Sequence, residues 1–129
     1  MRIAMIGSGY VGLTSGPCLA KVGHDVICVD NDASRIEALN RGEVPIYEPG
    51  LPEIIADTVK AGRLRFTTDI GAAVRESKAV FIAVGTPPRE NGQPDLTFVE
   101  DVARDIAANI QDYKLIVENE GTYARQAMA

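Results

Sequence analysis

Six residues close to the amino terminus, Gly7-Ser8-Gly9-Tyr10-Val11-Gly12, have the G-x-G-x-x-G spacing of a turn that can hold a pyrophosphate. An acid, Asp30, follows at about twenty residues, the separation at which a carboxylate meets the ribose of the same ligand. Gly7 permits a tight turn that would strain a residue bearing a Cβ. Gly9 lets a phosphate approach the backbone, and Gly12 lets the next helix lie against the strand before it. N–H groups at the start of that helix, which Tyr10 opens, lack intrahelical acceptors and sit at the positive end of the helix dipole. They can take up phosphate charge without a lysine or arginine. At Asp30 a carboxylate can accept both ribose hydroxyls and repel a 2′-phosphate, which points to NAD rather than NADP. Taken alone, Asp30 reads better as a solvated turn residue opening Asp30-Asn31-Asp32.

The elements needed to position these residues are all present. Arg2-Ile3-Ala4-Met5-Ile6 is an apolar run of strand length that stops at Gly7. A helical pattern runs from about Tyr10 to Val22 and is closed by Gly23-His24. Asp25-Val26-Ile27-Cys28-Val29 is a second apolar strand, and it ends in Asp30. Strand, glycine turn, helix, strand and acid agree, and their agreement carries the dinucleotide reading where a lone glycine pattern would not.

Composition narrows the alternatives. The chain has 129 residues, 46% hydrophobic and 24% charged, enough for one soluble domain with a core. A formal charge of -5 and the absence of a basic run argue against nucleic acid as a partner. No apolar stretch reaches membrane-spanning length, and the amino terminus has no signal-peptide pattern. Cys18 and Cys28 fall on the first helix and second strand, where both are expected as buried, reduced thiols in a cytoplasmic chain. Two separated cysteines and the single His24 give no support for a metal site. His24 reads as a helix-closing or exposed residue, not an acid–base catalyst.

Further along, Ala33 to Arg41 is a short helix with Ile36 and Leu39 inward, and its Arg35 is either a solvent-facing cation or lies where adenine would rest. The stretch Gly42-Glu43-Val44-Pro45-Ile46-Tyr47-Glu48-Pro49-Gly50-Leu51 cannot form a regular element, and so stiff a loop is either mere connection or the wall of a cleft. Leu51 to about Ala61 is helical, with Ile54, Ile55 and Val59 as the core stripe, and Arg63 to Thr68 alternates as a strand. Asp69 caps a helix through Glu76. Ala79 to Val84 is a buried parallel strand running into Gly85-Thr86-Pro87-Pro88, so Thr86 is either a structural turn residue or a hydroxyl that reaches the cofactor's ribose or nicotinamide side. Arg89 to Pro94 is a polar, flexible-looking loop. A last helix, about Leu96 to Asn109 and capped by Asp95 or Thr97, turns Val99, Val102, Ile106 and Ile110 inward, before a strand at Lys114 to Val117. The expected fold is α/β, a Rossmann-type doubly wound, mostly parallel sheet with helices on both faces.

Four stretches in order, IGSGYVGL (6–13), VDND (29–32), GEVPIYEPGL (42–51) and FIAVGTPP (81–88), resemble the UDP-glucose/GDP-mannose dehydrogenase family in its N-terminal NAD-binding domain. The resemblance covers residues 1–117 and implies an oxidoreductase that uses NAD to convert the C6 hydroxyl of a nucleotide sugar, with UDP-glucose the expected one, to a carboxylate. It implies that Asp30 binds the adenosine ribose, that Arg35 contacts the same region, and that Val11 and Thr86 lie along the cofactor. The cofactor-binding set expected is therefore Gly7, Gly9, Tyr10, Val11, Gly12, Asp30, Arg35 and Thr86. No role is assigned to Glu48 through Leu51.

Two departures qualify it. Where the family continues with a Lys-Ser-Thr-Val-Pro-like turn, this chain reads Glu118-Asn119-Glu120-Gly121-Thr122-Tyr123, so residues 118–129 are expected to be a divergent tail. The family's catalytic cysteine, lysine and asparagine lie downstream of anything present, so no catalytic residue is expected in this chain. Either it is part of a nucleotide-sugar dehydrogenase that binds NAD without turnover, or it is a stand-alone NAD-binding or redox-sensing module. The loop at 42–51 and the Gly85-Thr86-Pro87 turn favour the first. Apolar surface left uncovered on such a domain would favour a homo-oligomer.

Overall fold

The computed structural model describes residues 1–118. In chain order these form β1 (Arg2–Ile6), α1 (Tyr10–Lys21), β2 (Asp25–Val29), α2 (Ala33–Asn40), α3 (Leu51–Lys60), β3 (Leu64–Thr67), α4 (Ile70–Glu76), β4 (Ala79–Ile82), α5 (Thr97–Asn109) and β5 (Leu115–Glu118). All strand pairs are parallel, and the order across the sheet is β3-β2-β1-β4-β5. The chain winds outward from β1 in one direction through β2 and β3, then crosses back to β4 and β5. That reversal opens a crevice at the carboxyl ends of β1 and β4, where open α/β sheets bind ligands.

The period-two alternation of each strand divides the core into two layers. Ile3 and Met5 of β1 face one way and pack with Leu13 and Ala20 of α1, Ile36 and Leu39 of α2, and Leu51 and Ile55 of α3. Ala4 and Ile6 face the other way, with Ala73 and Val74 of α4 and Ile106 of α5. Helices therefore cover both faces, and the doubly wound reading holds.

Local chemistry sets where elements begin. Asp32 caps α2 by accepting from the N–H groups of Ser34 and Arg35, and Asp69 caps α4 through the N–H of Ala72. Within α1, Leu13, Gly16, Pro17 and Ala20 form the buried stripe at helical spacing. Pro17 sits mid-helix, where proline costs about 3 kcal/mol. Its ring is fully buried in that stripe, so packing offsets the lost hydrogen bond.

Several sequence-based expectations require correction. Cys18 is exposed, because it lies opposite the stripe that α1 turns to the sheet; only Cys28 is buried. A Cβ at Gly16 would stand 2.9 Å from the Cys28 sulfur, so α1 rests directly on that thiol. In α3 the buried positions are Leu51, Ile55 and Thr58, while Val59 is exposed and Ile54 half-buried. Thr58 is tolerated inside because its hydroxyl donates to the Ile54 carbonyl at 2.6 Å. Ile110 is exposed because the chain has already left helical conformation there. The loop 89–94 is a small hairpin: Pro88 and Pro94 form an antiparallel bridge, and the Arg89 N–H donates to the Gln93 carbonyl at 2.7 Å. The strand expected at Ala79 to Val84 ends at Ile82, and the last strand includes Glu118. The rest of the expected tail lies outside the described residues.

One feature of the fold had no sequence signal. The Lys114 side chain is only 2% exposed, and its ammonium donates to the carbonyls of Ser77 (2.6 Å) and Arg75 (3.4 Å) at the end of α4 while pairing with Asp112 at 2.9 Å. A cation at that helix end meets unpaired carbonyls and the negative pole of the dipole.

The two thiols differ sharply in environment. Burial pushes Cys28 up to about 12, so at neutral pH it holds no reactive thiolate. Iodoacetamide should label one of the two cysteines in the native chain, Cys18, and reach Cys28 only after denaturation. Mass spectrometry of the labelled peptides checks this; native labelling of both would refute the packing of α1 on β2.

Candidate dinucleotide site

The glycine turn is wedged between three strand ends. Gly7 has φ +110°, a left-handed conformation that a side chain would strain, and a Cβ there would lie 2.6 Å from the Ala83 carbonyl oxygen beyond β4. Its N–H donates to the Val29 carbonyl at the end of β2, at 2.7 Å. At Gly12 a Cβ would fall 1.9 Å from the Gly7 carbonyl oxygen, so the first turn of α1 rests on the turn that precedes it. Gly9 differs: among the described residues, no atom beyond its own chain neighbours lies within 4 Å of its Cβ position. The strain at Gly7 and the close contact at Gly12 are internal to the protein, whereas Gly9 faces open space.

That open space lies at the amino end of α1. Gly9 is the N-cap and supplies no side-chain cap, in contrast to the carboxylates that cap α2 and α4. Among the described residues, no side chain caps the first turn of α1. An anionic group is what such an end accommodates. Tyr10 is exposed, and Val11 is partly buried against the core layer beneath.

Asp30 stands at the tip of β2 with its side chain 12% exposed. Its Oδ2 accepts from the Ser8 N–H at 3.1 Å and from the Ser8 hydroxyl at 2.6 Å, and its Oδ1 accepts from the Asp32 N–H at 2.9 Å. Arg35 approaches Oδ2 at 3.6 Å with a side chain 42% exposed. A half-solvated ion pair of this kind contributes roughly 0–1 kcal/mol, whereas hydrogen bonds to a charged group contribute about 1.5–3 kcal/mol. Ser8, itself 1% exposed, is therefore the dominant partner of Asp30. Thr86 is buried and follows the Ala83 segment that touches Gly7.

A second contact joins the loop 42–50 to this site. The Tyr10 hydroxyl donates to Glu48 Oε2 at 2.9 Å, and Val44 and Ile46 pack against the core layer under α1. The structure thus brings Gly7, Gly9, Tyr10, Val11, Gly12, Asp30 and Arg35 together around one helix end, with Thr86 in the irregular segment that follows β4. Sequence reasoning missed Ser8 and Glu48. A hydroxyl between the first two glycines was a visible signal for Ser8; nothing local marked Glu48. A separate cavity of about 460 Å³, lined by Arg2, Asp25, Arg63, Arg65 and Glu76 among others, lies at the opposite, amino ends of the strands. Its walls are partly neutralised by the Arg65–Glu76 pair at 3.3 Å, and it shares nothing with the glycine turn. Among the described residues no group of three or more His, Cys, Asp and Glu could hold a metal, and no helix is long and apolar enough to cross a membrane.

Comparison with known proteins now decides between dinucleotide folds. Residues 1–128 match the profile described as the UDP-glucose/GDP-mannose dehydrogenase family, NAD binding domain. The chain belongs to that family. A UDP-glucose 6-dehydrogenase of Rhizobium meliloti is 54% identical over 118 residues, 91% of this chain and 27% of that protein. A UDP-glucose 6-dehydrogenase of Bacillus subtilis is 48% identical over 116 residues, 90% of this chain and 25% of that protein. Among solved structures, a ternary complex of GDP-mannose dehydrogenase from Pseudomonas aeruginosa superposes with a TM-score of 0.89 at 41% identity, covering 93% of this chain and 28% of that one. The chain therefore spans about a quarter of the relatives it matches, and it is the NAD-binding domain of the family.

Within this dehydrogenase domain the Tyr10–Glu48 contact has a measurable signature. The hydrogen bond to Glu48, then its negative charge, raise Tyr10 above the ordinary value of 10.0. The neutral phenol is the donor, so the contact is fully present below the ordinary tyrosine range and is lost as pH rises through the raised value. An ultraviolet difference titration of wild type against Tyr10→Phe should show Tyr10 ionising late, and Glu48→Gln should restore an ordinary titration. A Tyr10 that ionises identically in both backgrounds would mean the latch does not form in solution.

Proposed function

We propose that this chain supplies the NAD-binding domain of a cytoplasmic nucleotide-sugar oxidoreductase of the UDP-glucose 6-dehydrogenase type, which oxidises the sugar C6 hydroxyl to a carboxylate. The observation that carries the reading is the pairing of an uncapped α1 amino end with a carboxylate, Asp30, anchored beside it. NAD, when bound, accepts hydride from the substrate. The chain's own residues bind and orient it. Gly7, Gly9 and Gly12 shape the turn, and the first-turn N–H groups at Tyr10, Val11 and Gly12 meet the pyrophosphate. Asp30 accepts from the adenosine ribose, Arg35 flanks the adenosine, and Thr86 lies on the nicotinamide side.

The chain alone binds without turnover on this reading. Cys28 is sealed beneath α1, and Cys18 is on that helix's outer side, so neither thiol serves a covalent step at the crevice. Two unpaired thiols suit a reducing compartment.

Calorimetric titration tests the cofactor assignment. NAD should bind saturably, NADP at least about tenfold more weakly, and Asp30→Ala should lose about tenfold or more in NAD affinity while narrowing the NAD/NADP difference. Equal binding of both cofactors, or an Asp30→Ala variant that binds like wild type, would overturn it. The reading also includes a homo-oligomer, supported by the exposed apolar side chains of Ile110, Tyr113, Leu115 and Ile116 around the β5 edge. Sedimentation should show self-association that rises with concentration; a clean monomer throughout would refute it.

A further inference from the structure

We propose that Ser8 is a positioning residue for NAD recognition: it clamps one oxygen of Asp30 so that the other is presented to the adenosine ribose. The inference rests on the reading of Asp30 as the ribose acceptor and says how that acceptor is aimed.

A carboxylate offers about four lone-pair sites over its two oxygens. Oδ2 of Asp30 accepts two bonds from a single residue, the Ser8 N–H at 3.1 Å and the Ser8 hydroxyl at 2.6 Å. Those two fill it, and Arg35 adds charge at 3.6 Å on the same oxygen. Among the described residues, Oδ1 accepts one bond, from the Asp32 N–H at 2.9 Å. One strong acceptor position therefore remains, and it is on Oδ1.

Ser8 is fixed more firmly than the carboxylate it holds. It is 1% exposed, and it lies between Gly7, pinned by its N–H to Val29 and its contact with Ala83, and Gly9, the N-cap of α1. The residue that orients the ribose acid is thus part of the turn that faces the pyrophosphate. Two binding elements 22 residues apart in sequence become one rigid unit. Rigid alignment of this kind raises affinity by lowering the ordering cost on binding.

A structural role alone would change the stability of the unliganded chain; a positioning role changes which ribose is recognised. The probe is therefore NAD against its analogue lacking the adenosine 2′-hydroxyl, titrated calorimetrically into wild type, Ser8→Ala, Ser8→Cys and Asp30→Ala. Ser8→Cys keeps the volume with a weak donor, so the test survives if Ser8→Ala fails to fold; thermal melts of the free chains confirm folding. Wild type should prefer NAD over the deoxy analogue by about tenfold. Ser8→Ala and Ser8→Cys should lose most of that preference, with binding of the analogue little changed. A double variant, Ser8→Ala with Asp30→Ala, should bind NAD no worse than Asp30→Ala alone. If Asp30→Ala abolishes the preference while both folded Ser8 variants retain it, Ser8 is not a positioning residue and the Asp30 assignment stands. If wild type shows no preference, or no NAD binding at all, the Asp30 reading falls and this inference with it.

Discussion

The ligand end of this sheet depends on one close approach, that of the first turn of α1 to the turn leaving β1. A Cβ at Gly12 would lie 1.9 Å from the Gly7 carbonyl oxygen, a distance no side chain can share with backbone. With hydrogen at that position, the helix starts directly over the strand end, and its unanswered N–H groups open beside the sheet. The same turn is held from both sides, by Val29 of β2 and by Ala83 beyond β4. Three strand ends are thus registered against one helix terminus by backbone contacts alone. Ser8 is buried at their junction, and the placement of Asp30 follows from it.

Electrostatics explains why this arrangement suits an acidic chain. The formal charge is -5, and Asp30, Asp32 and Glu48 all lie near the α1 terminus, with Arg35 close to Asp30. Binding phosphate through lysines would demand a local cation cluster. Backbone donors need none: hydrogen bonds to a charged group contribute about 1.5–3 kcal/mol each, and the helix dipole about 0.3–1 kcal/mol more. Those short-range contributions exceed the screened repulsion of exposed carboxylates at physiological ionic strength, where the Debye length is about 8 Å. The nearby acids are then free to discriminate. A carboxylate at the ribose position favours hydroxyl donors and disfavours a second phosphate.

Legibility in the sequence tracked how local the controlling interaction was. The β1–turn–α1–β2 unit was readable because turn, helix start and strand ends are encoded by neighbours in the chain. The caps at Asp32 and Asp69 act over two or three residues, and Asp69 was recognised as one. Periodicity located the helices but not always the phase of their buried stripe. Hydrophobic character points Cys18 and Val59 inward, yet the stripes that include Gly16 and Thr58 take the inner positions. Small size at Gly16 and an internal hydrogen bond at Thr58 outweighed apolarity. Ser8, Glu48 and Lys114 were missed for a shared reason. Asp30 lies 22 residues from Ser8, Tyr10 lies 38 from Glu48 and the Ser77 carbonyl lies 37 from Lys114, and no local pattern encodes those contacts.

The loop 42–50 shows how an irregular segment can still be well defined. Gly42 and Gly50 take left-handed conformations with φ of +87° and +84°, and Pro45 and Pro49 restrict the backbone between them. Val44 and Ile46 then bury against the layer beneath α1, while Tyr47 points to solvent, 90% exposed. Stiffness and packing hold the middle of the loop, so the exposed Tyr10–Glu48 contact need not supply its stability. Its effect is on location: it ties the far end of the loop to the first residue of the helix whose N–H groups face the ligand. The bond persists only while the loop end and the helix terminus keep this spacing, so a displacement of either one breaks it unless the other follows.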